Sequence, residues 1–135
     1  MTAHPLVKKL RIRSGQRITF INPPEDYIKR LGNLPEGVDY VREPKGEFDV
    51  VQLFVNNIAE LEDLGPSALS IIKFDGILWI SYPKKSSKVK TDISRDVGWD
   101  IMAKNGLRPV VAVSVDDVWS ALRFRPIERV KTKKT

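Results

Sequence analysis

Eight residues in the middle of the chain, Phe48-Asp49-Val50-Val51-Gln52-Leu53-Phe54-Val55, are apolar at all but two positions. A strand with one wet face alternates polar and apolar residues. This one barely does, so both of its faces are predicted to be covered. Strands of that kind belong to parallel sheets, and parallel neighbours need long crossovers, usually helical.

The flanking sequence supplies them. Residues 17–22, Arg-Ile-Thr-Phe-Ile-Asn, read as a first strand. Pro23-Pro24 ends it. Pro24 suits a first helical position, and Glu25 and Asp26 complement the positive end of a helix dipole. Tyr27, Ile28 and Leu31 give that helix one apolar face, and Gly32 stops it. Residues 38–41 form a short second strand and the apolar run at 48–55 the third. Asn56-Asn57 caps a helix with Ile58, Leu61 and Leu64 inside, which Gly65-Pro66 interrupts before residues 68–72 resume helical spacing. Asp75-Gly76 turns into a fourth strand at 77–82. A helix is predicted over 92–105, with Ile93, Val97, Ile101 and Met102 as its stripe. Residues 109–115 and 118–124, separated by Asp116-Asp117, read as an antiparallel hairpin.

The order β-α-β-β-α-β-α-β-β predicts an α/β domain with three layers, a mainly parallel sheet of about six strands and a C-terminal antiparallel hairpin. At 135 residues it is one domain. Its predicted limits are 17–126, with a basic N-terminal arm at 1–16 and a basic tail at 127–135.

Composition removes several kinds of chemistry. There is no Cys, hence no disulfide and no thiolate. The single His, His4, lies among the first residues, so neither a Ser-His-Asp triad nor a His-based metal site is expected. No apolar run approaches the ~20 residues of a membrane span, and the N-terminus lacks a secretory apolar core. A cytoplasmic protein without membrane contact is expected.

The net charge is +6, and the basic residues are clustered. Lys8, Lys9, Arg11, Arg13 and Arg17 form one group, Lys84, Lys85, Lys88 and Lys90 a second, and Arg123, Arg125, Arg129, Lys131, Lys133 and Lys134 a third. An acidic partner follows from this clustering; two of the groups also read as solvated tails.

Three segments resemble a family of small bacterial proteins of unknown function. They are Asp49-Val50-Val51, then Gly76-Ile77-Leu78-Trp79-Ile80 with Pro83-Lys84, and Asp117-Val118-Trp119-Ser120 with Arg123, Arg125 and Pro126. That resemblance supplies no activity. The organisation of residues 17–126 is similar to the second half of a class I methyltransferase, which implies a Rossmann-like sheet. In those enzymes the first strand opens into a Gly-rich turn that lets the methyl donor approach the backbone. Here the turn is Asn22-Pro23-Pro24-Glu25, with no Gly and two residues lacking an N–H. Glu43 is the candidate for the acid that would hold a ribose. The resemblance therefore implies a scaffold without its cofactor turn, with no cofactor, no catalytic residue and no methyl transfer expected.

The candidate ligand site is the loop that leaves the fourth strand. Lys84, Lys85, Ser86, Ser87 and Lys88 follow Tyr82-Pro83, and α/β ligands gather at strand carboxyl ends. Asn22, Asn56 and Tyr82 end strands on the same edge, where amides and a phenol can fix a small polar ligand; both Asn residues can equally cap helices. Asp116-Asp117 reads as turn chemistry more simply than as a metal site. Trp79 and Trp99 are expected in the core, while Trp119 stands open between packing and base stacking.

The expected function is a non-catalytic binding module for a phosphate-bearing anion, held by Lys and Ser beside a helix N-terminus. The alternatives are nucleic-acid binding by arms and loop together, and a residual methyltransferase-like enzyme. The sequence leaves the oligomeric state open.

Overall fold

The apolar run becomes the strand around which everything else is arranged. In the computed structural model, which describes residues 5–43 and 45–129, β3 (Phe48–Phe54) lies between β1 (Arg17–Ile21) and β4 (Ile72–Pro83). The sheet has six strands in the order β2-β1-β3-β4-β6-β5, with β2 at Asp39–Tyr40, β5 at Leu107–Ser114 and β6 at Trp119–Pro126. The pairs among β2, β1, β3 and β4 are parallel. β6 runs antiparallel to both β4 and β5. This is the predicted mixed α/β sheet with its terminal hairpin.

Successive side chains of a strand alternate between faces, and each face here has its own core. Ile18, Phe20, Val50, Phe54 and Trp79 pack under α1 (Pro5–Lys9) and α2 (Tyr27–Leu31). Val51, Leu53, Leu78, Ile80 and Phe124 pack under α3 (Ile58–Ile71), Ile93 and Met102 of α4 (Asp100–Lys104). Each large side chain buried this way is worth roughly 1.5–3 kcal/mol. A polar thread crosses the first face: the Tyr27 hydroxyl donates to Gln52 Oε1 at 2.7 Å, and Gln52 Nε2 donates to Ser81 Oγ at 2.9 Å. All three residues are buried, so the thread satisfies groups that would otherwise be costly to desolvate.

Four expectations change. Residues 5–12 are not a loose arm: Leu6, Val7, Leu10 and Ile12 are at most 4% exposed. The chain there is one amphipathic turn whose lysines face out and whose Leu10 carbonyl accepts the buried indole N–H of Trp79 at 3.0 Å. Gly65-Pro66 does not interrupt α3, which runs through both. Gly65 is buried beside Leu61 and Ile101, where a Cβ would make ordinary van der Waals contact at 3.7 and 4.0 Å. The fourth strand begins at Ile72, five residues early, and a register shift absorbs Asp75-Gly76. A Cβ on Gly76 would lie 2.9 Å from Ile72 Cδ1 and 3.0 Å from the Lys73 carbonyl oxygen, so a side chain at that bend would require its neighbours to shift.

The fourth change bears on function. No helix starts at Asp92, and α4 covers only the end of the predicted span. Thr91 Oγ1 accepts from the Ile93 N–H, Ser94 and Val97 bond each other's backbone, and Gly98 has φ 107°. Residues 84–99 therefore form a long irregular crossover. His4 and residues 130–135 of the expected tail lie outside the described residues.

Candidate functional site

Because β5 runs in the direction of β4 and β6 runs back between them, the turn that joins β5 to β6 lies at the edge where β1, β3 and β4 end. Pro83 pairs with Trp119 and Ser114 with Ser120. The edge has two differently built halves.

At the end of β1, Asn22 takes a left-handed conformation, φ 58°. Its Nδ2 donates to the Phe54 carbonyl at 2.9 Å and reaches Glu60 Oε1 at 3.4 Å. The backbone N–H and Nδ2 of Asn56 donate to the same Glu60 oxygen, at 2.8 and 3.1 Å. The helix cap is Asn57, whose Oδ1 accepts from the Glu60 N–H at 2.8 Å. Asp92 arrives from the distant crossover to accept the Ile58 N–H at 2.8 Å. Two carboxylates, Glu60 and Asp92, thus occupy the start of α3, where an incoming anion would otherwise be favoured. Asn22 and Asn56 are brought together as a latch between β1, β3 and α3.

At the end of β4 the chain opens a hollow of about 410 Å³, lined by Tyr82, Pro83, Lys84, Lys85, Ser86, Ser94, Arg95, Asp96 and Ser120. Lys84 holds its rim: its N–H donates to the Val118 carbonyl and its Nζ to Ser114 Oγ, both at 2.7 Å. Burial pushes the Tyr82 phenol above its ordinary range, with Arg95 pulling it back and Asp96 reinforcing the rise. The phenol stays protonated at neutral pH, and its hydroxyl has no hydrogen-bond partner among the described residues. Trp99 closes the wall behind it, edge-on to Tyr82 at 5.4 Å, with its indole N–H donating to the Ser94 carbonyl.

Of the eight residues singled out from the sequence, four line the hollow: Tyr82, Lys84, Lys85 and Ser86. Ser87 is absorbed by its own loop, donating to the Lys84 carbonyl at 2.7 Å. Lys88 is exposed and does not line the hollow, and neither do Asn22 and Asn56. The expected helix N-terminus beside the lysines is not there, because the chain after them is irregular. Ser94, Arg95 and Asp96 were missed. The signal available was Gly98 within the predicted helix, which marks the turn that folds them back. Asp116 is a turn residue: its Oδ1 accepts the N–H groups of Val118 and Trp119, both at 2.8 Å. Trp119 is 9% exposed and packs edge-on to Phe54.

The residues that would have to hold a methyl donor do not fit one. Pro23 and Pro24 offer no N–H, and the Asn22 amide is spent on Phe54 and Glu60. The cavity beside Tyr27, Arg30 and Asp116 is about 60 Å³, against the ~300 Å³ or more of ordinary small-molecule sites. Glu43 is exposed and pairs with Lys45 at 3.4 Å.

No protein-family model and no curated protein matches the sequence. Solved structures do match the fold. A SAM-dependent methyltransferase from Aquifex aeolicus superposes with a TM-score of 0.58 at 13% identity, over 88% of this chain and 86% of that one. The fibrillarin pre-rRNA processing protein of Methanococcus jannaschii gives 0.55 at 13% identity, over 84% and 68%. A methyltransferase from Pyrococcus furiosus gives 0.53 at 15%, over 93% and 88%. At such identities the likeness is one of architecture: this chain has the Rossmann-like fold of the class I S-adenosylmethionine methyltransferases.

Proposed function

We propose that the protein is a non-catalytic binding module on a methyltransferase scaffold, taking a small phosphate-bearing anion in the hollow at the end of β4. One observation carries the reading. The crossover after β4 gathers Lys84, Lys85 and Arg95, three serine hydroxyls and the unengaged Tyr82 hydroxyl around one space, with Asp96 as the opposing charge. Its volume lies in the ~300–1,000 Å³ range of small-molecule sites. Charge-assisted hydrogen bonds from ammonium and guanidinium groups would supply affinity, and the hydroxyls orientation.

The test is thermal stabilisation by inorganic pyrophosphate. A ligand at a hundred times its Kd stabilises the folded state by about 2.7 kcal/mol, so the melting temperature of the wild type should rise clearly. The rise should be clearly smaller in Lys84→Ala/Lys85→Ala and in Arg95→Ala than in the wild type. The second variant matters because Lys84 also ties β4 to β5. Equal responses in wild type and both variants overturn the reading.

The fold itself favours a second reading, residual methyl-transfer chemistry. Calorimetric titration with S-adenosylmethionine separates the two: heat with a saturable isotherm supports it, and a flat titration removes it.

A further inference from the structure

Two of the basic clusters that look like tails in the sequence meet on the α1 side of the sheet. Arg11 stands just past the end of α1 with φ 63°. Its N–H donates to the Lys8 carbonyl and the Ile12 N–H to the Val7 carbonyl, both at 3.0 Å. This is the paired closure of a helix at a position that favours glycine, because a Cβ is strained in the left-handed region. An arginine kept in a strained place is a reason to ask what its side chain does.

The neighbouring geometry gives the answer. The carbonyl before Arg11, that of Leu10, is pinned by the buried Trp79 indole. Trp79 pairs in register with Arg123 on β6. Arg123 is half-buried, and its Nε is fully buried without a hydrogen-bond partner among the described residues. Neither Arg11 nor Arg123 has a side-chain hydrogen bond or ion pair among the described residues. Arg125, on the same face of β6, is held by Asp75 through two bonds of 2.8 and 2.7 Å. Burial lowers the Arg123 pKa, and the charges of Arg125 and Arg11 lower it further, against the weaker pull of Asp75. Asp75 is thus engaged by Arg125, while the half-buried Arg123 keeps a buried Nε–H unused and feels the like charges of Arg125 and Arg11. A desolvated charge with an unused donor destabilises a fold unless an anion completes it.

We propose that Arg11, Arg123 and Arg125 form a phosphate-binding site on the α1 face of the sheet, separate from the hollow at Lys84. The ligand chemistry is an oxyanion able to accept from two guanidinium forks, as a free phosphate or a phosphodiester backbone does.

Two probes distinguish those sources: inorganic pyrophosphate by calorimetry, and a labelled mixed-sequence single-stranded oligonucleotide by anisotropy at low salt. The variants are Arg11→Gly and Arg123→Gln, each made in the Lys84→Ala/Lys85→Ala background so that the hollow at Lys84 does not contribute. At least one probe should bind that background. Affinity should fall about tenfold or more when either arginine substitution is added to it. Arg11→Gly relieves the backbone strain, so its melting temperature should rise by about 2–6 °C, which separates lost binding from lost folding. Binding by the oligonucleotide alone identifies the phosphodiester backbone as the ligand. Binding of the lysine background by neither probe, or unchanged affinity when Arg11→Gly is added to it, overturns the proposal. Arg11→Gly melting below that background would overturn the strain argument beneath it.

Discussion

The two crossovers that leave the carboxyl edge of the sheet could hardly be more different. The first, from Asn22 to α2, is short, carries two prolines and is sealed: Asn22, Asn56 and Glu60 bond one another, and Tyr27 plugs the space beneath with a buried phenol tied to Gln52. The last, from Lys84 to α4, is long and irregular and leaves a charged hollow open. At the first crossover the polar groups are taken up in structural bonds, whereas the last leaves a hollow lined by charged and hydroxyl side chains. The sealed end should answer to mutation in stability, and the open end in ligand response.

The largest effect tests the seal. Tyr27→Ala removes a buried ring in edge contact with Phe20 and Phe54, and should cost about 3–5 kcal/mol in urea unfolding. Tyr27→Phe keeps the ring and strands Gln52 Oε1, at about 1–3 kcal/mol. A loss below that range in both would show that the first crossover is not the tight end. Glu60→Ala is next. It orphans the Asn56 N–H and leaves Asn22 with its bond to the Phe54 carbonyl alone, with an expected loss of about 1–2 kcal/mol. Pyrophosphate stabilisation should persist in that variant, and its disappearance would couple the two ends.

Asp116 joins the halves. Burial alone would raise its pKa, but the N–H groups of Trp119 and Val118 and the Arg30 guanidinium at 3.1 Å outweigh it and hold the carboxyl low. Asp49 is depressed likewise: bonds from the Arg17 N–H and from Lys73 overcome its desolvation. A folded pKa below the unfolded one means stability that is present above about pH 4 and lost as pH falls through the folded value. Asp116→Asn should therefore start less stable at neutral pH and converge with wild type in acid. Parallel unfolding curves across that range would remove the role of Asp116.

Asp92→Ala should cost about 1 kcal/mol, because the cap that the open crossover lends to α3 is lost. Lys85→Ala is the smallest: its side chain is exposed, so unfolding should move by less than about 0.5 kcal/mol while the pyrophosphate response drops. The reverse pattern would invert the comparison.

Residues 48–55 show why the sheet was legible. A strand buried on both faces needs apolar residues at consecutive positions, and the β-branched and aromatic residues of this short run favour a strand over a buried helix. The hairpin was legible for a similar reason, since Asp116-Asp117 carries local turn chemistry that Asp116 realises with its own neighbours. The first helix was not. Leu6, Val7 and Leu10 sit among lysines, and their spacing becomes meaningful only when Trp79 and Phe20 offer a surface to cover. The helix expected from Asp92 failed in the opposite direction. Its apolar spacing was real, but Ile93 and Met102 reach the core from an irregular loop and a short helix. The site was half legible: Lys84, Lys85 and Ser86 lie beside a strand end, whereas Ser94, Arg95 and Asp96 join them only through a fold-back.

Hydrophobic period acts locally on each segment, so the strands and their mainly parallel arrangement could be read from the sequence alone. Which charges meet was settled by the folded chain. Arg125 reaches Asp75, and Asp92 reaches the start of α3, across 50 and 34 residues of chain. Electrostatic and hydrogen-bond contacts of that range depend on strand order and register, which no local pattern of residues encodes.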